Sequence, residues 1–166
     1  LPDFRAGERG FQLIVQAAGR AGRAEKPGEV VIQTYNPDNP VINLAAEQNY
    51  FQYALEEIKM RKLLKYPPFV EILRIVVSSE KEEKARECAL DLTGLVNDLT
   101  DASEEDFQVL GFAPCPINRI KKRFRFHIMI KACNRFFLNS LARHMKRQAI
   151  PKEVRLEIDF NPVISM

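Results

Sequence analysis

The stretch QAAGRAGR, residues 16–23, sets Gln16, Arg20 and Arg23 four and three residues apart. On a helix those offsets put all three on one face. The residues between them, Ala17, Ala18, Gly19, Ala21 and Gly22, are small and leave that face open to a close partner. A guanidinium fork matches phosphate oxygens two at a time and keeps its charge at neutral pH. Two such forks beside a neutral amide suit a triphosphate whose terminal group develops charge during hydrolysis. The plainer alternative is a solvated helix end whose two cations complement the helix dipole.

Two further basic groups could do chemistry of recognition. RIKKRFR, residues 119–125, holds five basic residues in seven. If a strand starts early, its period of two lines up Arg119, Lys121, Arg123 and Arg125 on one face. Lys122 lies beside them, and Lys131 falls further along the polar side of the same strand. Such a row is a natural phosphate track, and each phosphate contact would steepen the salt dependence of binding. It is equally the pattern that keeps an edge strand from aggregating. Near the end of the chain Arg135, Arg143, Lys146 and Arg147 fall on one helix. Arg135 and Asn139 are one turn apart and could receive a carboxylate from an acidic peptide tail through a charged fork and an amide. The alternative there is an ordinary exposed helix face. Lys59, Arg61, Lys62 and Lys65 read as the polar side and basic end of another helix. No catalytic constellation competes: His127 and His144 have no evident nucleophile partner, and Glu56-Glu57 and Glu104-Glu105-Asp106 read as solvated acids.

The chain has 166 residues, 46% apolar and 28% charged, with a net charge of +3. That supports a real core and leaves the distribution of charge, rather than its sum, to indicate partners. Cys88, Cys115 and Cys133 lie far apart with no CxxC pair, so no zinc site is expected within this chain, and a reducing compartment is. No apolar run approaches a membrane span, and the N-terminal residues lack a signal-peptide plan. The expectation is a cytoplasmic protein with no membrane partner. The opening LPDFRAGERG has no Met and no opening element, the expected look of a piece of a longer protein.

The elements that must position these residues follow from periodicity. Residues 8–18 read as a helix that Gly19 and Gly22 weaken. Pro27-Gly28 is a turn, and Val30 to Tyr35, rich in β-branched residues, reads as a strand. A long helix is expected over 43–65, ended by YPPF at 66–69. Next come a strand at 70–78, a helix at 80–99 and an acidic loop at 101–106. Strands are expected at 107–112 and 123–131, a helix at 135–148 and a strand at 154–160. In the strand 123–131, Phe124, Phe126, Ile128 and Ile130 face one way, and Arg123, Arg125, His127 and Lys131 the other. The order β-α-β-β-α-β is the split βαβ arrangement of ferredoxin-like folds, an α+β class with both helices on one face of an antiparallel sheet.

PDFRAGERGFQLIVQAAGRAGR resembles the last motif of superfamily 2 helicases, Q-x-x-G-R-x-G-R. With KPGEVVIQTYNP after it, and with YPPF, GFAPCPINRI and IDFNPV further on, the whole chain is similar to the PriA family, the primosomal protein N′ helicases. The resemblance implies an ATP-driven 3′→5′ DNA helicase that recognises abandoned replication forks and restarts replication by primosome assembly. It implies that residues 1–40 end a RecA-like second helicase lobe, 41–68 connect, and 69–166 form a small ribosomal-protein-like C-terminal domain. Arg20 and Arg23 match the motif's arginine fingers on the γ-phosphate, and Gln16, Gly19 and Gly22 its nucleotide-binding positions. ATP, Mg²⁺ and zinc are implied for the full-length protein. The chain has no GxxxxGK[ST] loop, DExH box or zinc-binding cysteine cluster, so by itself it is expected to bind none of them and to hydrolyse no ATP. The implied partners are branched and single-stranded DNA, met by Arg119, Lys121, Lys122, Arg123, Arg125 and Lys131. The acidic tail of the single-stranded-DNA-binding protein, met by Arg135 and Asn139, is a further implied partner, as are other primosome proteins. A stand-alone RNA- or ribosome-binding module and a domain for acidic protein tails are the competing readings. An RNA-recognition sheet should expose aromatics on its middle strands, where Arg123, Arg125 and His127 are expected. Competition between DNA and an acidic peptide separates the other two.

Overall fold

The computed structural model describes residues 3–21, 29–101 and 106–162. Gly22, Arg23, the Pro27-Gly28 turn and most of the acidic loop 101–106 lie outside those residues. The chain divides between Leu64 and Lys65 into two units.

The first unit holds three helices, α1 (Ala6–Ala21), α2 (Pro40–Ala46) and α3 (Tyr50–Leu63). Phe11, Ala45 and Tyr53 are buried together, with Ile14, Val15, Val41 and Leu44 packed around them. The Phe11 and Tyr53 rings stack with centroids 4.3 Å apart. Arg61 ties the end of α3 to α1, its Nε donating to Glu57 at 2.8 Å and its Nη2 to Glu8 at 2.9 Å. Two expectations are corrected here. The long helix over 43–65 is two helices, because Gln48 takes a positive φ of 53° and the Asn49 side chain caps the next helix by accepting from Gln52 N at 3.1 Å. An Asn cap satisfies a backbone N–H that a continuous helix would have bonded internally. Residues 30–35 form no strand, and Val31 and Tyr35 are exposed. Strand-prone residues adopt a strand where a neighbour pairs their backbone, and the four-stranded sheet found here is built from residues 71–160 alone. The helix expected at 8–18 also runs on through Gly19 to Ala21.

The second unit is a four-stranded sheet with two helices. Its elements are β1 (Glu71–Ser79), α4 (Glu82–Asp101), β2 (Phe107–Ile120), β3 (Arg123–Ala132), α5 (Arg135–Lys146) and β4 (Val154–Phe160). The strand order is β2-β3-β1-β4, with every neighbouring pair antiparallel. Strands β1 and β2 therefore run the same way with β3 between them, and α4 makes the crossover. Leu73, Ile75 and Val77 of β1 lie opposite Ile130, Ile128 and Phe126 of β3 and share one face. Onto that face pack Ala85, Cys88, Ala89, Leu92 and Val96 of α4 and Leu138, Leu141, Ala142 and Met145 of α5. Each fully buried Ile or Leu here contributes about 1.5–3 kcal/mol by leaving water. Helix α5 starts at a cap, the Asn134 side chain accepting from Phe136 N at 2.9 Å.

Strand β2 is longer than the expected 107–112 because irregularities let it bend and continue. Its register against β3 slips between Val109 and Phe112, where Gly111 takes φ +73°. An extra residue in that left-handed conformation is the signature of a bulge, and glycine occupies it without a Cβ penalty. Gly111→Ala should therefore lower stability by about 1 kcal/mol in urea unfolding, even though a Cβ there would meet no atom within 4 Å. An unchanged midpoint would show that the bulge adapts.

The opposite face of β3 buries His127, and its pKa is pushed down to about 4 by burial first and then by the nearby Arg74 and Arg125 charges. The unfolded chain titrates near its ordinary value of about 6.5. The neutral ring thus contributes stability that is fully present above pH 6.5 and is lost as pH falls towards 4. Between pH 7 and 4 the natural chain should lose on the order of 2–3 kcal/mol more than a His127→Gln variant, read from paired urea titrations. Parallel pH profiles would refute this.

Candidate nucleic-acid interface

The β2–β3 hairpin carries the basic cluster. Ile120 pairs with Arg123, so Lys121 and Lys122 alone make the turn. Both take positive φ, 49° and 65°. A two-residue turn with both central residues left-handed matches the right-handed twist of the strands it joins, and it favours Asn-Gly. Lysine in that conformation costs roughly 1 kcal/mol per residue.

The turn corrects the expected alignment of Arg119, Lys121, Arg123 and Arg125 on one face. Period two holds within one strand, and here the chain reverses inside the run. Arg119 lies opposite Phe124 and so shares the face of Phe124, with its guanidinium 4.8 Å from that ring's centroid. Arg119, Lys121 and Lys122 are left exposed together at the hairpin end. Arg123 is committed elsewhere. Its Nη2 donates to the Ser78 carbonyl at 2.7 Å and the Glu153 carbonyl at 2.8 Å, clipping β3 to β1 and to the residues entering β4. Arg125 is half-buried on the same strand as His127. Lys131 is buried, with Nζ 3.9 Å from the centroid of the Tyr66 ring, and burial lowers its pKa. Its burial sets it apart from the exposed cations at the hairpin end.

A second site forms where α5 begins. Arg135 Nη1 lies 3.4 Å from Glu71 Oε1, and the other Glu71 oxygen accepts from Asn161 Nδ2 at 2.5 Å. Asn161 also accepts from Ile72 N through Oδ1 at 2.8 Å, locking the end of β4 to the start of β1. Asn139 follows one turn after Arg135, and its carbonyl accepts from Arg143 Nε at 3.3 Å. Phe136, between the two, is 84% exposed. Sequence reasoning had no role for Glu71, Asn161 or Phe136. An asparagine closing a strand just before Pro162 was the available signal for Asn161.

A further signal lay in charge order. From Phe107 to Lys152 there is no acidic residue, while Arg119, Lys121, Lys122, Arg123, Arg125, Lys131, Arg135, Arg143, Lys146, Arg147 and Lys152 are all basic. The third cluster contains a structural member, since Arg61 is held by Glu57 and Glu8.

In the first unit Gln16 and Arg20 are exposed one turn apart on α1, with Gly19 exposed between them. Among the described residues no group of three or more His, Cys, Asp or Glu could hold a metal ion. No helix among them is long and apolar enough to cross a membrane.

Comparison with known proteins gives these features a context. Residues 62–163 match the family described as the primosomal protein N C-terminal domain. The chain is 37% identical over 170 residues to the replication restart protein PriA of Bacillus subtilis, a match covering 100% of this chain and 21% of that protein. It is 35% identical over 161 residues to the same-named protein of Synechocystis sp., covering 97% of this chain and 19% of that one. Against that of Chlamydia pneumoniae it is 36% identical over 165 residues, with 98% and 22% covered. The chain thus spans about a fifth of the length of the curated relatives it matches. With a family match over most of its residues and relatives of one name along its full length, the chain belongs to the PriA family of replication restart proteins.

Proposed function

We propose that the chain is the C-terminal part of an ATP-dependent 3′→5′ DNA helicase that recognises stalled or abandoned replication forks and restarts replication through primosome assembly, in the cytoplasm. In this reading residues 1–40 end a RecA-like lobe, 41–68 connect, and 69–166 form a ferredoxin-like DNA- and partner-binding domain. The observation that carries it is the hairpin end: Arg119, Lys121 and Lys122 stand exposed where β2 and β3 meet, inside a 107–152 stretch free of acids. Cations fixed on a rigid element meet phosphates without a large ordering cost.

The remaining roles follow from the same reading. Gln16, Arg20 and Arg23, with Gly19 and Gly22 as spacers, face an ATP–Mg²⁺ cradled by residues beyond this chain, and zinc likewise belongs to other parts of the full-length protein. The exposed helical pair Gln16 and Arg20 fits such a contributing half-site. Arginines without a phosphate cradle catalyse nothing, so the chain by itself binds and does not hydrolyse. Arg135 and Asn139 receive the acidic tail of the single-stranded-DNA-binding protein; the exposed guanidinium and the neighbouring Phe136 support this. Arg135→Ala should weaken a fluorescent acidic tail peptide about ten- to 150-fold, the range of one charge-assisted bond. Unchanged affinity would remove the tail from this site.

The central test is fluorescence anisotropy with forked, single-stranded and duplex DNA over a salt series. Changing Arg119, Lys121 and Lys122 to Ala should weaken fork binding and reduce the log–log salt slope by about 2–3. A second variant, Lys121→Asn with Lys122→Gly, separates charge from folding. It should raise stability by about 1 kcal/mol through a better turn yet still lose part of the slope. Full DNA affinity in both variants would sink the reading.

A further inference from the structure

The hairpin end presents more than cations. On β2, Pro114 lies opposite Phe126, and the next paired residue, Arg119, lies opposite Phe124. Four residues of β2, Cys115 to Asn118, therefore answer to a single step on β3. Pro114 and Pro116 cannot donate a ladder hydrogen bond, which is why the chain leaves the pairing here. Cys115 turns inward and is buried, while Ile117 is 44% and Ile120 40% exposed. Ile117, Ile120 and Pro116 are thus exposed at the same hairpin end as Arg119, Lys121 and Lys122. Ala113 to Lys122 contains no acid.

We propose that the β2–β3 hairpin end is a wedge for the branch point of DNA, in which Ile117 and Ile120 cover the exposed face of the junction base pair while Arg119, Lys121 and Lys122 hold the flanking phosphates. This rests on the DNA-binding reading above and deepens it by assigning the preference for branched over linear DNA to two apolar side chains. The chemistry is specific to that occupant. Continuous duplex offers phosphates but hides its base faces, so isoleucines there would stay in water. A branch point offers an apolar base-pair face bordered by phosphates on both departing strands, which matches an apolar centre rimmed by cations. Proteins that kink or open DNA insert Ile, Leu, Met, Phe or Pro between base steps in this way. The Arg119 guanidinium, stacked on Phe124, is held at the base of the wedge rather than free in solvent. A protein partner would need an acidic surface around an apolar spot, and it is the outcome the test distinguishes.

The experiment uses the full chain and a synthetic fork with 2-aminopurine in the last base pair before the branch. Binding of the natural chain should raise 2-aminopurine fluorescence several-fold and favour fork over duplex. Ile117→Ser with Ile120→Ser should remove most of the rise and weaken fork binding roughly five- to tenfold, the scale of one lost base contact. Duplex affinity and salt slope should stay the same. Ile117→Leu with Ile120→Leu should restore both signals. Both substituted positions are exposed, so thermal unfolding should match that of the natural chain. Fork binding with unchanged fluorescence, or a Ser variant that keeps its fork preference, overturns the wedge and leaves the phosphate contacts standing. No binding to any DNA by the natural chain overturns the wedge and the DNA reading together.

Discussion

The register of β3 between β1 and β2 is the constraint on which the second unit depends. Nine consecutive residues of β1 pair with β3, from Glu71 opposite Ala132 to Ser79 opposite Phe124. A slip of one residue would send Phe126, Ile128 and Ile130 to the wrong face and bring Arg125, His127 and Lys131 against α4 and α5. Side chains reaching across the sheet secure β1 against its neighbours at both ends. At one end Arg123 bonds the carbonyls of Ser78 and Glu153; at the other, Asn161 bonds both Ile72 and Glu71. Two of the residues that look like ligand-binding groups by type, Arg123 and Glu71, are therefore also the fasteners of the sheet.

This dual use explains where reasoning from sequence succeeds. Alternation over 123–131 and 154–160, and the three- and four-residue spacing over 80–99, were legible because burial on one side of an element imposes a period. The β-α-β-β-α-β order came with them. What was not legible depended on partners or on local backbone. Val30 to Tyr35 has strand composition, but composition cannot supply a neighbour. The break at Gln48-Asn49 lies in a run with good helix formers on either side, and only the capping side chain reveals it. The Lys121-Lys122 turn lacks the Asn-Gly that would have announced it, so an early strand start lined Arg119 up with Arg123 and Arg125, whereas it shares the face of Phe124.

The candidate site was legible as a region and not as a set of residues. Counting basic residues located 119–125, yet charge type says nothing about commitment. Arg123 is spent on carbonyls, Lys131 on the face of Tyr66, and Arg61 on two carboxylates. A buried cation with protein partners is a structural group whatever its formal charge. Within 119–125 the cations left exposed are Arg119, Lys121 and Lys122, in or beside the left-handed turn where the backbone is least comfortable.

That coincidence is the most informative feature of the molecule. A turn of two left-handed residues is cheapest as Asn-Gly, and lysine at both places forgoes stability that a simple replacement would recover. Strained backbone persists where the surrounding structure over-determines it, as the paired strands of the hairpin do here. The same hairpin end also leaves Ile117 and Ile120 in water, a second local loss with no return in the folded chain itself. Either alone would be unremarkable on a surface. Together, within ten residues free of acids, they fit the proposed occupant, which carries negative charge around an apolar face.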